Sequence, residues 1–353
     1  MKTVLVAVLD WGLGHATRCI PVIRELLVQK VNVLIAGNGR SMDLLKQEFP
    51  MLKFIELPAY DVKYSKGDSL VVSLIMQWPR LVRIVKAEMK LIKEIVKENN
   101  INCIISDNRY GCYHESIKSV VICHQLNLQL PRNWRWAAKL VNSYHDRWLR
   151  KFHEVWIPDM PNELKFTGLL SETQTLNCRY IGILSRFDDT QTIESNGLYD
   201  VVALVSGPEP QRSIFEKLLR PQLSQSRNSI LLVKGLPGDP KWIKDGHFSE
   251  VNHLEANDLW QVLKGAKIVI ARSGYSTIMD LAALGKRAIL IPTPGQPEQE
   301  YLAKLLAANN WALVQTQSRM NLKSVWQEVY DHNPMPHAKP NLFLPQAITE
   351  LLC

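Results

Sequence analysis

The chain has 353 residues, more than a single growing core accommodates, so two domains of ordinary size are expected. Hydrophobic residues make up 46% and charged residues 22%, ordinary globular values, and no apolar run reaches the roughly eighteen residues needed to span a bilayer. The net charge is +8 and uneven: residues 1–190 hold 26 Lys+Arg against 19 Asp+Glu, the rest 16 against 15, which points to an anionic partner for the first half. Six cysteines without a CxxC pair or framework spacing argue against structural zinc and a disulfide scaffold and fit a reducing cytoplasm. The basic residues are not gathered in a recognised nucleic-acid module, so no nucleic-acid partner is expected.

The run Val4–Leu9 reads as a buried strand, not a secretion signal, because it ends in Asp10-Trp11-Gly12 with no small-residue cleavage site. A glycine-rich turn through Gly12, Gly14 and His15 follows, and helical periodicity covers Cys19–Leu27. Such a turn exposes backbone N–H groups at the positive end of a helix, where an anion or developing oxyanion can sit, with His15 and Arg18 facing it. The spacing is not GxGxxG, and Gly37-Asn38-Gly39 stands where an acidic ribose ligand would end the second strand, so no nicotinamide cofactor is indicated. A histidine there can take a proton from an attacking hydroxyl or bind a phosphate as a cation.

Val31–Ala36, Phe54–Leu57, Ile101–Ser106, Val120–Cys123 and Val155–Pro158 read as the further strands of the first half. Asp107, Asn108 and Arg109, then His124 and Gln125, follow two of these strands and emerge at the carboxyl edge of a parallel sheet, where ligands bind. Acceptor contacts are expected from Gly12, Gly14, Arg18, Asn108, Arg109, His124 and Gln125, and Asp107 suits a carboxylate that orients the base His15. Residues 132–152 read as a helix with Trp134, Ala138, Val141, His145, Trp148 and Phe152 on one face and Arg135, Lys139, Arg147 and Arg150 opposite. Either an interfacial helix on an anionic membrane or a core-packed helix with a solvated basic face has this pattern.

The polar stretch 188–196 is the linker candidate, giving domains at 1–187 and 197–335 and a segment 336–353 that returns to the first domain. Strands are expected at Val201–Val205, Ile230–Val233, Val251–Leu254, Ile268–Ala271, Ala288–Pro292 and Ala312–Val314. Alternation with helices throughout implies an α/β chain with two Rossmann-like domains of mostly parallel sheets facing a cleft. Ser206, Gly207 and Arg212 lie between a strand and a helix, a second candidate phosphate loop. Residues 271–303 carry the strongest signal. Arg272-Ser273-Gly274 turns from a buried strand into a helix whose first amides attract phosphate, and Asp280 lies one turn after Ser276 on the same side, suited to ribose hydroxyls. The loop after the next strand carries Gln296, Gln299 and Glu300, which can read sugar hydroxyls.

This stretch resembles the C-terminal signature of the family 28 glycosyltransferases, which include the group adding N-acetylglucosamine to the lipid-linked peptidoglycan precursor. The resemblance implies a UDP-sugar donor, an N-acetylhexosamine as one candidate sugar, and a hydroxyl acceptor, with a lipid-linked or cell-envelope glycan as the leading candidate. It also implies a ribose contact at Asp280, a donor-sugar contact at Gln299 and Glu300, and backbone reading of uracil at His253 and Leu254. This chain departs from the pattern in having Asp280 for the usual Glu, Glu300 for the second Gln, and Pro208 for the serine of a Gly-Gly-Ser turn. The Gly-x-Gly-His-x-x-Arg run of residues 12–18 resembles both that group and the UDP-sugar hydrolases of pseudaminic acid biosynthesis, leaving lipid-linked sugar and water both open as acceptors. An epimerase or a silent nucleotide-sugar binder on the same fold are the further alternatives. No Asp-x-Asp occurs, so metal-independent chemistry is expected, with the leaving diphosphate stabilised by backbone amides and Arg272 or Arg212. The setting expected is cytoplasmic, peripheral on the inner face of the membrane if the acceptor is lipid-linked.

Overall fold

The computed structural model describes residues 1–60, 70–130, 132–187, 197–236 and 240–353, so the linker candidate 188–196 lies outside the described residues. The chain forms two compact units, one of Met1–Arg186 with Asn341–Cys353, the other of Phe187–Pro340.

The first unit runs β1 (Thr3–Val8), α1 (Leu13–Val28), β2 (Asn32–Gly37), α2 (Gly39–Glu48), β3 (Lys53–Glu56), α3 (Leu70–Asn99), β4 (Cys103–Asp107), β5 (Lys118–Ile122), α4 (Ala138–Leu149), β6 (Glu154–Ile157) and β7 (Cys178–Tyr180). Its seven strands are parallel, in the order β3-β2-β1-β4-β5-β6-β7. Every residue of β1 is buried, as a central parallel strand covered on both faces requires. Leu5 and Ala7 pack with Ile92 and Ile95 of α3, and the alternate residues Val4, Val6 and Val8 point the other way. Burying each such aliphatic side chain contributes about 1.5–3 kcal/mol.

The second unit runs β8 (Val201–Leu204), α5 (Gln211–Ser224), β9 (Ile230–Val233), β10 (Trp242–Asp245), β11 (Phe248–Val251), α6 (Ala256–Gly265), β12 (Ile268–Ala271), α7 (Tyr275–Leu284), β13 (Arg287–Leu290), α8 (Pro297–Ala308), β14 (Leu313–Val314) and α9 (Leu322–Glu328). Its sheet order is β10-β11-β9-β8-β12-β13-β14, parallel except for the β10–β11 hairpin. The helix α10 (Leu344–Leu352) belongs to the first unit, where Gln29 Nε2 donates to the Pro345 carbonyl at 3.0 Å and Asn341 N to that of Ile183 at 2.8 Å.

Three elements differ from the sequence reading. The helix expected from Cys19 begins at Leu13, so Gly14, His15 and Arg18 lie in its first turns and not in a loop. The strand expected at Val251–Leu254 lies at Phe248–Val251, because Gly246, at φ 56°, closes a tight hairpin with the exposed strand β10. His253 and Leu254 therefore fall in the loop before α6. The helix expected over 132–152 is a 3-10 turn, Arg132–Ala137, followed by α4. Among the described residues no helix is long and apolar enough to cross a membrane.

Candidate functional site

Each sheet reverses strand order once, between β1 and β4 in the first unit and between β8 and β12 in the second. Adjacent connections there leave in opposite directions and open a crevice at the carboxyl edge. The candidate residues cluster at these two edges.

In the first unit, Asp107 ends β4 and is fully buried. Its Oδ1 accepts from Arg18 Nε at 2.7 Å and closely from Arg18 Nη2, and its Oδ2 lies 2.9 Å from His15 Nδ1. Arg18, only 2% exposed, also places Nη1 3.2 Å from His124 Nδ1. Asn108 takes a left-handed backbone, φ 53°, and its amide, set to donate to the Ile122 carbonyl at 3.2 Å, accepts from Arg18 Nη2 at 3.1 Å. Gly12, at φ 101°, precedes α1, and the Gly14 carbonyl accepts from Thr17 Oγ1 at 3.0 Å. Gln125 is half-buried beside His124.

Burial by itself would raise the Asp107 pKa, yet Arg18 and then His15 hold it below the ordinary carboxylate value. Asp107 is therefore an ionised acceptor, and the His15 Nδ1 proton belongs on that bond even though Arg18 Nη2 also comes within 2.9 Å of Nδ1. Nε2 is left with its lone pair, and among the described residues it makes no hydrogen bond. Burial lowers the His15 pKa and Asp107 restores part of it, with a net lowering. The imidazole is neutral at pH 7, oriented by a carboxylate, and able to accept a proton.

Arg109 is not available to an acceptor. It is fully buried, with Nε 2.7 Å from Glu88 Oε1, Nη1 donating to Val8 O and Asn38 Oδ1, and Nη2 to Pro58 O. It ties the ends of β1 and β2 and the chain after β3 to α3, and Glu88, itself fully buried, is the counter-ion that sequence reading passed over. Arg18 is likewise committed inside the unit, where it orients Asp107 and does not reach outward.

In the second unit, Gly207, at φ 104°, and Ser206 are exposed after β8. The start of α5 is already filled: Glu209 accepts from Ser213 N at 3.3 Å and from Arg212 Nε at 2.6 Å, and Glu216 takes Arg212 Nη1 at 2.9 Å. Arg212 is thus spent on two carboxylates, and an incoming phosphate would meet the charge of Glu209. Arg272 is also withdrawn. It is 1% exposed, stacked 3.9 Å from the Phe215 ring, and donates to Ile291 O, Pro292 O, Gln211 O and Gln317 Oε1. Burial lowers its pKa to about 9. Both guanidinium groups are committed to partners within their own unit.

The start of α7 is different. Gly274 is its N-cap, no side chain caps it, and its first turn holds no acid. A Cβ on Gly274 would meet nothing within 4 Å, so the space beside this N-cap is open. Buried Ser273 donates Oγ to the Gln299 carbonyl at 2.8 Å, joining this turn to the start of α8. Ser276 and the half-buried Asp280 lie one turn apart on α7. Gln296 Oε1 accepts from Gln299 Nε2 at 2.6 Å, Gln299 Oε1 from Thr293 N at 2.9 Å, and Glu300 Oε1 from Gly295 N at 3.0 Å. Those three side chains brace their own loop. His253 is half-buried and Leu254 buried in the loop after β11.

Of the two readings of the aromatic segment, the packed one describes the face through His145 and Phe152. Along that face His145 is 6% exposed, Phe152 lies beyond α4, and Trp134, Ala138, Val141 and Trp148 are half-buried. The exposed apolar groups are instead Trp136 (78%), Leu140 (72%), Tyr144 and Trp78 of α3, the last two in edge contact at 4.9 Å. Lys139 and Arg147 are exposed on the same helix.

Residues 246–342 match the model of the glycosyltransferase family 28 C-terminal domain. The chain is 23% identical over 331 residues to an uncharacterized glycosyltransferase of Methanosarcina mazei, covering 86% of this chain and 83% of that one. It is 25% identical over 329 residues to the UDP-N-acetylglucosamine–N-acetylmuramyl-(pentapeptide) pyrophosphoryl-undecaprenol N-acetylglucosamine transferase of Listeria welshimeri, covering 87% and 84%. Among solved structures, the kitacinnamycin glycotransferase superposes with a TM-score of 0.64 at 14% identity, covering 99% and 98%. MurG of Acinetobacter baumannii superposes with a TM-score of 0.54 at 14% identity, covering 99% and 93%.

Proposed function

We propose that the chain, a glycosyltransferase of the family 28 type with the GT-B fold, moves a sugar from a UDP-sugar to the hydroxyl of a lipid-linked acceptor. The observation that carries this reading is the His15–Asp107 pair, a neutral imidazole oriented through Nδ1 by a buried carboxylate. His15 Nε2 takes the acceptor hydroxyl proton as the oxygen attacks the anomeric carbon of the donor; the C–O bond to the diphosphate breaks, and UDP leaves with that electron pair. Direct attack inverts the anomeric centre. Asp107 keeps the imidazole in its reactive tautomer and stabilises the imidazolium, while Arg18 keeps Asp107 ionised.

The donor is assigned to the second unit. Its diphosphate sits on the amides opening α7, the ribose on Asp280, the uracil near His253 and Leu254, and the sugar against the loop braced by Gln296, Gln299 and Glu300. With Arg212 and Arg272 committed elsewhere, the amides carry the leaving-group charge. The acceptor is assigned to the first unit, with Gly12, Asn108, His124 and Gln125 beside His15. Trp136, Leu140, Tyr144 and Trp78, flanked by Lys139 and Arg147, form an exposed aromatic and basic surface of the kind that beds into an anionic lipid interface.

Donor turnover over a panel of UDP-sugars, with and without lipid-linked and soluble acceptors, tests the proposal. Release of UDP only when acceptor is present is expected. Release of free sugar in its absence would make water the acceptor, and no release from any donor would leave a silent binder. Sedimentation with anionic vesicles tests the membrane part: binding should fall with salt and in W136A/L140A, and no retention at low salt would favour a soluble acceptor.

A further inference from the structure

A cavity in the first unit, about 370 Å³, opens at the carboxyl ends of β2 and β3 beside α2. Its size suits a small ligand. Its rim is a Gly37-Asn38-Gly39 turn with no room for a side chain at either glycine. A Cβ on Gly37 would come 2.9 Å from the Val8 carbonyl, and one on Gly39, at φ 60°, would collide with the Asp10 carboxylate.

The turn fixes Asn38. Arg109 Nη1, a donor only, holds Asn38 Oδ1 at 3.0 Å, so the acceptor end of that amide is spent on the buried arginine and the NH2 end remains for the cavity. Asp43 and Glu56 supply carboxylate acceptors on the same wall and Lys46 a further donor, none of them hydrogen-bonded or ion-paired among the described residues. The apolar lining is Met42, Phe54 and Ile55, and Lys46 Nζ lies 5.9 Å over the Phe54 ring. Amide and ammonium donors, two carboxylate acceptors and an aromatic wall match the hydroxyls and C–H face of a sugar ring, and two carboxylates against one lysine disfavour a phosphate or carboxylate ligand.

We infer that this cavity binds an uncharged or amino-bearing sugar ring, a distal residue of the acceptor glycan. The inference rests on the first unit being the acceptor side, and it makes the acceptor a glycan of more than one sugar.

Saturation-transfer NMR on the full chain with methyl glucoside, methyl glucosaminide and glucose 6-phosphate tests it, each with and without saturating UDP. The first two should bind, the phosphate ester should not, and UDP should not compete. Asn38→Asp keeps the acceptor for Arg109 but removes the NH2 donor, and should weaken sugar binding at least about tenfold while the melting temperature holds. Exposed Glu56→Ala and Asp43→Ala should weaken it similarly without risk to folding. His15→Ala should leave it unchanged. Sugar binding in a protein that transfers nothing would overturn the transferase reading alone. Failure of every neutral and amino sugar to bind, or equal binding in all three cavity variants, would leave only a solvated crevice.

Discussion

The two units solve the same topological problem with opposite chemistry. Both sheets open a crevice where strand order reverses, yet in the first unit the crevice is lined by a buried carboxylate sandwiched between a guanidinium and an imidazole. In the second, the buried cation Arg272 is held by carbonyl and amide oxygens and by the Phe215 ring, and the adjoining α7 start has no side-chain cap and no acid in its first turn. A base must be oriented and kept neutral, which needs paired charges; a diphosphate needs donors that carry no competing anion. The α5 start shows the failed alternative, since Glu209 already occupies it.

The sharpest way to break the comparison is to remove His15. His15→Ala should lower turnover by roughly 10²–10⁴-fold with UDP affinity nearly unchanged, because the base and the nucleotide contacts lie in different units. Wild-type turnover at saturating acceptor would move His15 out of the chemistry. Next is Asp107→Asn, which leaves buried Arg18 without its counter-ion and should cost about 3–5 kcal/mol in urea unfolding of the first unit. Arg272→Met, which strips no ion pair, should cost less, about 1–3 kcal/mol. Equal losses would mean that the Arg18–Asp107 pair is no more than an ordinary polar contact.

Acid should separate the units too. Burial pushes the His145 pKa down to about 4 from 6.5, and His15 is lowered as well. The unfolded chain takes up these protons below pH 6.5 while the folded one resists, so stability is full above pH 6.5 and falls as pH drops towards 4. His145 alone accounts for about 3 kcal/mol across that window. The Asp107 contribution survives this range and is lost only below the ordinary carboxylate pKa, because its folded value is lowered. Hydrogen exchange, corrected for intrinsic rate, should therefore show α4 and β5 deprotected at pH 5 relative to pH 7 before β12 and α7; the reverse order would refute the assignment. The smallest effect sharpens the donor side: Asp280→Ala should weaken UDP binding by about 1–3 kcal/mol by calorimetry with the fold intact.

Much of this was legible because parallel strands buried on both faces write themselves as apolar runs. Ile230–Val233 and Ile268–Ala271 fall where periodicity places them, and the residues that follow each strand necessarily reach the carboxyl edge. His15, in the first turn of the helix after β1, and Asp107, at the end of β4, lie 92 positions apart in sequence and 2.9 Å apart in space. The exposed strand β10 has no such run, and its hairpin shifted β11 by three residues. The α4 region stayed open between a packed and an interfacial face because aromatic residues lie on both sides of that helix.

The sequence by itself determined the alternation of strands and helices, the position of the amide-rich turn at Ser273-Gly274, and the candidate base. Only the tertiary structure decided which charged residues face a ligand and which serve the core. Arg109, Arg212 and Arg272 stand after strands or near helix starts just as ligand-binding arginines would, and each was turned inward by a partner not adjacent to it: Glu88 from α3, Glu216 from one turn along α5, and Phe215 with Gln317 from two separate elements. The free energy of a buried cation depends on what surrounds it in space, and a linear chain does not specify that until its elements have packed.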